Sequence, residues 1–289
     1  MSALCTGKTV VVTGAAGCLG QAVAVAFAAA GAERIAMVDN FNASDTFEKI
    51  LKAAQDTGRP APELLSLHLE IGDATSVDTG VAEIHSRWGH VDILINTTSH
   101  MPPCGLQRPV LENSDINVWW ETWEVSVKDA FIVARALLPL LLKGSDRTVV
   151  NVLSASPSLP TFTSGAQDLS ALAMMRLSEG LMLDYRKIGL LAYSLQLGHF
   201  EAEALGDSTD FITWLNDLQE LASEALVLLA SERREWLGGG HIYCGKSICD
   251  AISRNDKNMH NELLKLSTSV DKIPVAAGRR RGRVPRSSY

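Results

Sequence analysis

Three glycines, at positions 14, 17 and 20 of the run VVVTGAAGCLG, have a spacing that suits one kind of chemistry. They let the main chain approach an anion closely, and the helix predicted to follow offers unpaired N–H groups and partial positive charge. A pyrophosphate suits such a loop. Asp39 closes the next apolar run, IAMVD, nineteen residues after Gly20. A carboxylate at that point accepts the two hydroxyls of an adenosine ribose, and its charge repels a 2′-phosphate. Asn40 follows, where an arginine would have welcomed that phosphate. Together these features predict NAD as the cofactor rather than NADP. The bland alternative is a glycine turn that binds nothing, with Asp39 a surface acid.

Groups able to move a proton are sparser. Ser154 ends the run VVNVL, His100 follows NTTS, and His199 follows the run LAYSLQLG. All three fall just past apolar runs that read as parallel strands, and open α/β sheets hold their ligands at those carboxyl ends. Either histidine would serve as a base near neutrality. Asp168 is a further candidate acid. The bland readings are a leftover small residue, two solvated loop histidines and a carboxylate favouring a helix start.

Positioning these groups requires a particular order of elements. Apolar, β-branched runs are expected as strands at Thr9–Thr13, Arg34–Val38, Leu64–Leu69, Val91–Asn96, Thr148–Leu153, Leu191–Gln196 and His241–Cys244. Between them lie helical patterns at Cys18–Ala30, Thr46–Thr57, Thr75–Trp88, Val118–Lys143, Gln167–Lys187 and Leu221–Ser231, with a separate amphipathic helix over Asp210–Leu218. Strands alternating with helices imply crossover units and a parallel sheet covered on both faces. The expected architecture is a single α/β domain, a Rossmann-like doubly wound parallel sheet of about seven strands. It spans residues 1–245. Residues 246–289 are polar, end in GRRRGRVPRSSY, and read as a poorly ordered tail.

From Lys8 to Gly245 the chain resembles the short-chain dehydrogenase/reductase family. The spacing TGxxGxxG is similar to the extended branch, with Cys18 where the short branch has its middle glycine. The remaining layout is similar to the short branch. EIGD, residues 70–73, resembles the segment where the family seats adenine, which implies that role for Glu70 and Ile71. DILINTTS resembles the strand that normally ends NNAG, and only Asn96 keeps the cofactor-side asparagine. EALVLLASERREWLGGGHIYCG resembles the last helix and strand.

The family's active residues are an Asn, a Ser, and a Tyr and Lys spaced YxxxK. The resemblance puts Ser126 where the Asn belongs and keeps Ser154, for which it implies a hydrogen bond to the substrate's carbonyl oxygen. Thirteen residues beyond Ser154 stands Gln167 in place of Tyr, and four further stands Ala171 in place of Lys. None of the four tyrosines, Tyr185, Tyr193, Tyr243 and Tyr289, sits in a YxxxK. Glutamine cannot yield a proton at physiological pH. A positioned acid–base group is worth about 10²–10⁴ in rate, so conventional ketone reduction is expected to be weak.

Three functions stay open on sequence alone. The chain is a divergent NAD(H) enzyme of specialised metabolism acting on a small organic molecule, with a tyrosine-free redox step or with isomerisation, dehydration or cyclisation. Alternatively, it is an inactive dinucleotide sensor or partner subunit, or an ordinary oxidoreductase with His199 as substitute donor. The family forms dimers through its fourth and fifth helices, which implies a homodimer or homotetramer here, with Trp119, Trp120 and Trp123 in that stripe. The resemblance also places a substrate-covering lid after the sixth strand, with Phe211 and Trp214 as candidate pocket walls.

Composition sets the outer bounds. The 289 residues suit one large domain, and 46% apolar content suffices for its core. A net charge of −7 disfavours nucleic acid as a partner. Five scattered cysteines without CxxC predict reduced thiols and no metal site. No leader pattern and no membrane-length apolar run occur in the sequence, so the expectation is a cytoplasmic protein without a membrane partner.

Overall fold

A computed structural model describes residues 4–98, 111–153, 165–197, 208–244 and 263–264. Its centre is one eight-stranded sheet. The strands are β1 (Thr9–Thr13), β2 (Arg34–Asp39), β3 (Glu63–His68), β4 (Ile93–Asn96), β5 (Thr148–Leu153), β6 (Leu191–Gln196), β7 (His241–Tyr243) and β8 (Leu263–Leu264). Their order is β3-β2-β1-β4-β5-β6-β7-β8. The first seven run parallel, and β8 pairs antiparallel with β7. The doubly wound parallel fold expected from the sequence is therefore present. The sequence reading, with seven strands and no element after Gly245, lacked this eighth strand. Two leucines in a polar stretch give no periodic signal, and only the open edge of β7 makes them a strand.

β1, β4 and β5 are buried along their whole length. Continuous apolar runs such as VVV and ILI are what a strand covered on both faces requires. Helices α1 (Cys18–Ala29), α2 (Phe47–Asp56) and α7 (Ser208–Ser231) pack together. A second group holds α3 (Ala74–Trp88), α4 (Ile116–Trp123), α5 (Asp129–Leu141) and α6 (Ala166–Tyr185). α3 is capped by Asp73, whose carboxylate accepts from Ser76 N–H, and ends at Gly89 in the left-handed conformation.

Two helix expectations need correction. The helix expected over Val118–Lys143 is interrupted by a π-turn at Glu124–Lys128, which separates α4 from α5. Hydrophobic periodicity does not reveal one extra residue per turn. The helices expected over Asp210–Leu218 and Leu221–Ser231 are one continuous α7.

The order places β2 and β3 to one side of β1, and β4 onward to the other. Connections after β1 and β4 therefore leave in opposite directions, which opens a crevice at the carboxyl ends of those strands.

Candidate functional site

That crevice is a cleft of about 770 Å³. Gly14, Gly17 and Gly20 form one wall, Asp39, Asn40 and Phe41 continue it, and Ile71 lies beyond. Gly14 has φ +63°, a left-handed conformation that costs glycine little. A β-carbon there would come within 3.0 Å of Thr97 Oγ1. At Gly20 a β-carbon would sit 2.2 Å from the Gly14 carbonyl oxygen. The bare α-carbons thus let β4 and α1 close on the loop. Gly17 caps α1 without a side-chain acceptor, and no acid occupies the first turn. Cys18 and Leu19, at the opening of α1, also line the wall, and a helix start of this kind suits an anion.

Asp39 is 8% exposed. Its Oδ2 accepts from Ala16 N–H at 2.8 Å and its Oδ1 from Phe41 N–H at 3.0 Å. These bonds tie the end of β2 to the glycine loop and fix the carboxylate's plane. Each oxygen keeps acceptor capacity for a ligand hydroxyl. Asn40 extends the wall by accepting from Ile71 N–H at 2.8 Å. Ile71 is buried, whereas Glu70 is exposed beside the cleft, and its N–H donates to Ser76 Oγ at 3.0 Å.

Asn96 ends β4. It is 1% exposed and absent from the cleft lining among the described residues. Its Oδ1 accepts from Thr13 Oγ1 at 3.3 Å, and its Nδ2 donates to Asn151 Oδ1 at 2.9 Å. Asn151 Nδ2 donates in turn to Ser178 Oγ at 2.9 Å, which lies 2.8 Å from Ser194 Oγ. This buried chain of amides and hydroxyls crosses β1, β4, β5, α6 and β6. It anchors α6 to the sheet. Among the described residues the Asn96 amide thus has two partners inside the protein. The neighbouring Thr97 and Thr98 reach the cleft instead.

α6 carries the positions expected to hold the proton-transfer pair. Gln167 lies in its first turn, and Ala171 packs with Ala130, Leu153, Met174 and Met175 in a small apolar cluster. Asp168 is fully buried. Tyr193 is also fully buried and donates its hydroxyl to the Arg234 carbonyl at 3.1 Å, and burial pushes its pKa up. Ser154, His100 and His199 lie outside the described residues, as do the side chains of Phe211 and Trp214.

Asp129 was missed by sequence reasoning. It lines the cleft from the first turn of α5, one turn beyond Val125 of the π-turn. Its signal was a carboxylate at the head of the stripe Ala130, Val133, Ala134, Leu137 and Leu141, every member of which is buried. A charge heading a buried stripe needs a reason. Burial pushes its carboxyl up to about 6.

A parallel sheet with a glycine loop at its switch point and an acid ending β2 defines a dinucleotide-fold protein. The model of the short-chain dehydrogenases matches residues 8–211, and the chain belongs to that family. It is 32% identical over 261 residues to short chain dehydrogenase mpl6 of Monascus purpureus, which covers 90% of this chain and 88% of the relative. It is 26% identical over 265 residues to short chain dehydrogenase andI of Emericella variicolor, covering 91% and 90%.

Among solved structures, NADH-dependent reductase A1-R' complexed with NAD superimposes with a TM-score of 0.65 at 15% identity, over 82% of this chain and 95% of that one. Gluconate 5-dehydrogenase from Burkholderia cenocepacia, in complex with NADP and tartrate, gives 0.64 at 22%, over 85% and 96%. These two similarities establish the fold, with a nicotinamide dinucleotide bound in both neighbours. Among the described residues no helix is long and apolar enough to cross a membrane, and no group of three metal-ligating side chains occurs.

Proposed function

We propose that the chain binds NAD(H) in this cleft and acts on a small organic metabolite of a specialised pathway, with a proton-transfer apparatus unlike its family's. The single observation that carries the cofactor reading is Asp39. Its buried carboxylate is held by Ala16 and Phe41 with acceptor capacity to spare, beside a loop that only glycine fits. A ribose diol completes its bonding, and a 2′-phosphate meets its charge. When bound, the nicotinamide supplies hydride chemistry. The chain's own residues orient it: α1 offers N–H groups to the pyrophosphate, Asp39 holds the ribose, and Ile71 and Phe41 offer apolar surface to the base.

The proton side is supported by α6. The Ala171 methyl lies among apolar side chains, and Gln167 carries no ionisable group. An oxidoreductase of this construction depends on Ser154 and His199 at the strand ends, or performs a non-redox step by orienting its substrate. The same observation favours a second reading, a dinucleotide-binding partner without turnover. A homodimer or homotetramer is supported by the outward faces of Ile116, Trp120 and Phe131, which are 73%, 58% and 52% exposed on α4 and α5. Light scattering measures it directly.

The test is a calorimetric titration with NADH and NADPH, followed by assays against a panel of ketones and alcohols. NADH is expected to bind more tightly, and Asp39→Ala to lose that preference. Equal or tighter NADPH binding by the wild type would overturn the cofactor reading. Ordinary dehydrogenase rates on simple ketones would overturn the reading of α6. His199→Ala then identifies whether that residue supplies the proton.

A further inference from the structure

The outermost strand among the described residues comes from the polar tail. Leu263 and Leu264 stand twenty positions beyond Tyr243 in the sequence, and they pair antiparallel with β7. Without them β7 would end the sheet. An open edge offers a row of main-chain donors and acceptors to any strand that can reach it.

The hydrogen bonds of β7 show which of its residues face that edge. Ser194 N–H donates to the Gly240 carbonyl at 3.0 Å, and Cys244 N–H donates to the Gln196 carbonyl at 2.8 Å. The register sets Ser194 beside His241 and Gln196 beside Tyr243. In a parallel ladder each residue bonds to the two neighbours of its partner. Positions 240, 242 and 244 therefore turn their main-chain groups toward β6, and His241 and Tyr243 turn theirs outward. His241 is 2% exposed, and main-chain groups at a buried residue need partners. Leu264 stands opposite His241, and Leu263 opposite Ile242. Because His241 faces outward, it is the His241–Leu264 pair that exchanges main-chain bonds. Leu264 N–H is directed to the His241 carbonyl, and Leu263 N–H points away from β7.

The groups that β8 covers would suit a second β7. His241 and Tyr243 flank Ile242, and both face the edge. A twofold axis at Ile242 sets His241 of each copy opposite Tyr243 of the other, in antiparallel pairing. Such an edge is complementary to itself, as a twofold contact requires. We infer that β8 is a cap drawn from the chain's own tail, which keeps the β7 edge of one copy from joining the β7 edge of another. The tail thus limits assembly at this edge. This surface is separate from the cleft and from the apolar face of α4 and α5.

The test is light scattering on the full chain, with circular dichroism to confirm folding. Leu264→Pro removes the N–H directed to His241 and breaks the cap. Leu263→Pro removes an N–H that faces away, which an edge strand tolerates. Leu264→Pro is expected to about double in mass relative to the wild type as concentration rises. Leu263→Pro is expected to keep the wild-type mass. Tyr243→Lys, added to Leu264→Pro, puts a charge on the bared edge and is expected to restore that mass. Equal masses of wild type and Leu264→Pro overturn the inference. So does a doubling that Leu263→Pro shares or that Tyr243→Lys leaves in place. A fall in mass on Leu264→Pro overturns it too, because β8 would then link copies instead of separating them. Hydrogen exchange on the wild type tests the cap without any variant: the Leu264 amide is expected to exchange more slowly than the Leu263 amide. Equally fast exchange at both overturns the inference.

Discussion

Asp92 and Asp129 are buried carboxylates at opposite ends of the same sheet, and their surroundings differ in kind. Asp92 precedes β4 at the amino end and is 2% exposed. Its Oδ2 accepts from Thr9 N–H at 2.9 Å, and its Oδ1 from Ser145 N–H at 2.6 Å and Ser145 Oγ at 3.0 Å. Burial raises its pKa, but these donors, with His90 nearby, outweigh burial and hold the carboxyl below its ordinary range. Nearby, Lys8 pairs with the buried Asp146. Asp129, at the carboxyl end, has one oxygen without a partner among the described residues and a pKa moved the other way. Asp92 is completed by donors within the protein and gains stability from them. Asp129 keeps one oxygen incomplete at the wall of the cleft.

The largest expected effect comes from breaking the completed end. Asp92→Ala strips the acceptor from two main-chain N–H groups and is expected to cost about 3 kcal/mol or more. Because the folded carboxyl titrates below its ordinary value, its contribution is present at neutral pH and is lost on acidification through pH 4 and below. Urea denaturation at pH 7 measures the loss. A cost under about 1 kcal/mol would erase the contrast between the two ends.

A smaller effect, confined to the binding end, is expected of Gly20→Ala. The added methyl meets the Gly14 carbonyl, so the loop opens and α1 shifts. Overpacking of this kind costs roughly 1–3 kcal/mol, and NADH affinity is expected to fall tenfold or more. Calorimetry checks the affinity. Unchanged NADH binding would mean that the loop does not hold the pyrophosphate.

The smallest effect has the opposite sign. Asp129→Asn is expected to stabilise the apo-protein by about 1–2 kcal/mol at pH 7.5, the roughly 3 kcal/mol that the raised pKa allows less the cost of burying the amide. The folded carboxyl titrates near 6, above the ordinary 3.8. The folded wild type therefore holds its proton longer than the unfolded chain and loses stability as pH rises through that window. The amide has nothing to lose, so its advantage is full above pH 6 and gone below about pH 4. Thermal melts at pH 4 and 7.5 read it. An asparagine variant less stable at pH 7.5 would show that Asp129 supports the fold and is no idle carboxyl.

Much of this arrangement was legible in local sequence because local chemistry controls it. Continuous β-branched runs place the parallel strands. Only a glycine could pass the turn at position 14, and the acid nineteen residues past Gly20 marks the end of β2. Asn96 was legible as a residue at the end of a strand, but its partner was not. Whether its amide met a ligand or Asn151 depended on β5 lying beside β4, fifty-five positions away in the chain. The π-turn, β8 and the single long α7 escaped for a related reason. Each turns on hydrogen bonds or packing that no periodicity encodes.

The sequence by itself determined a parallel α/β sheet, a glycine loop at its first crossover and an acid beside it. Hydrophobic period, glycine conformation and charge act over a few residues and need no distant partner. The tertiary structure alone decided which polar groups are spent and which are left over. Asn96, Asn151, Ser178 and Ser194 complete one another only because β4, β5, α6 and β6 adjoin. Asp129 faces the cleft only because α5 is carried past Gly72. Hydrogen bonding is a short-range interaction between groups remote in sequence, so the balance of donors and acceptors is settled where the chain packs.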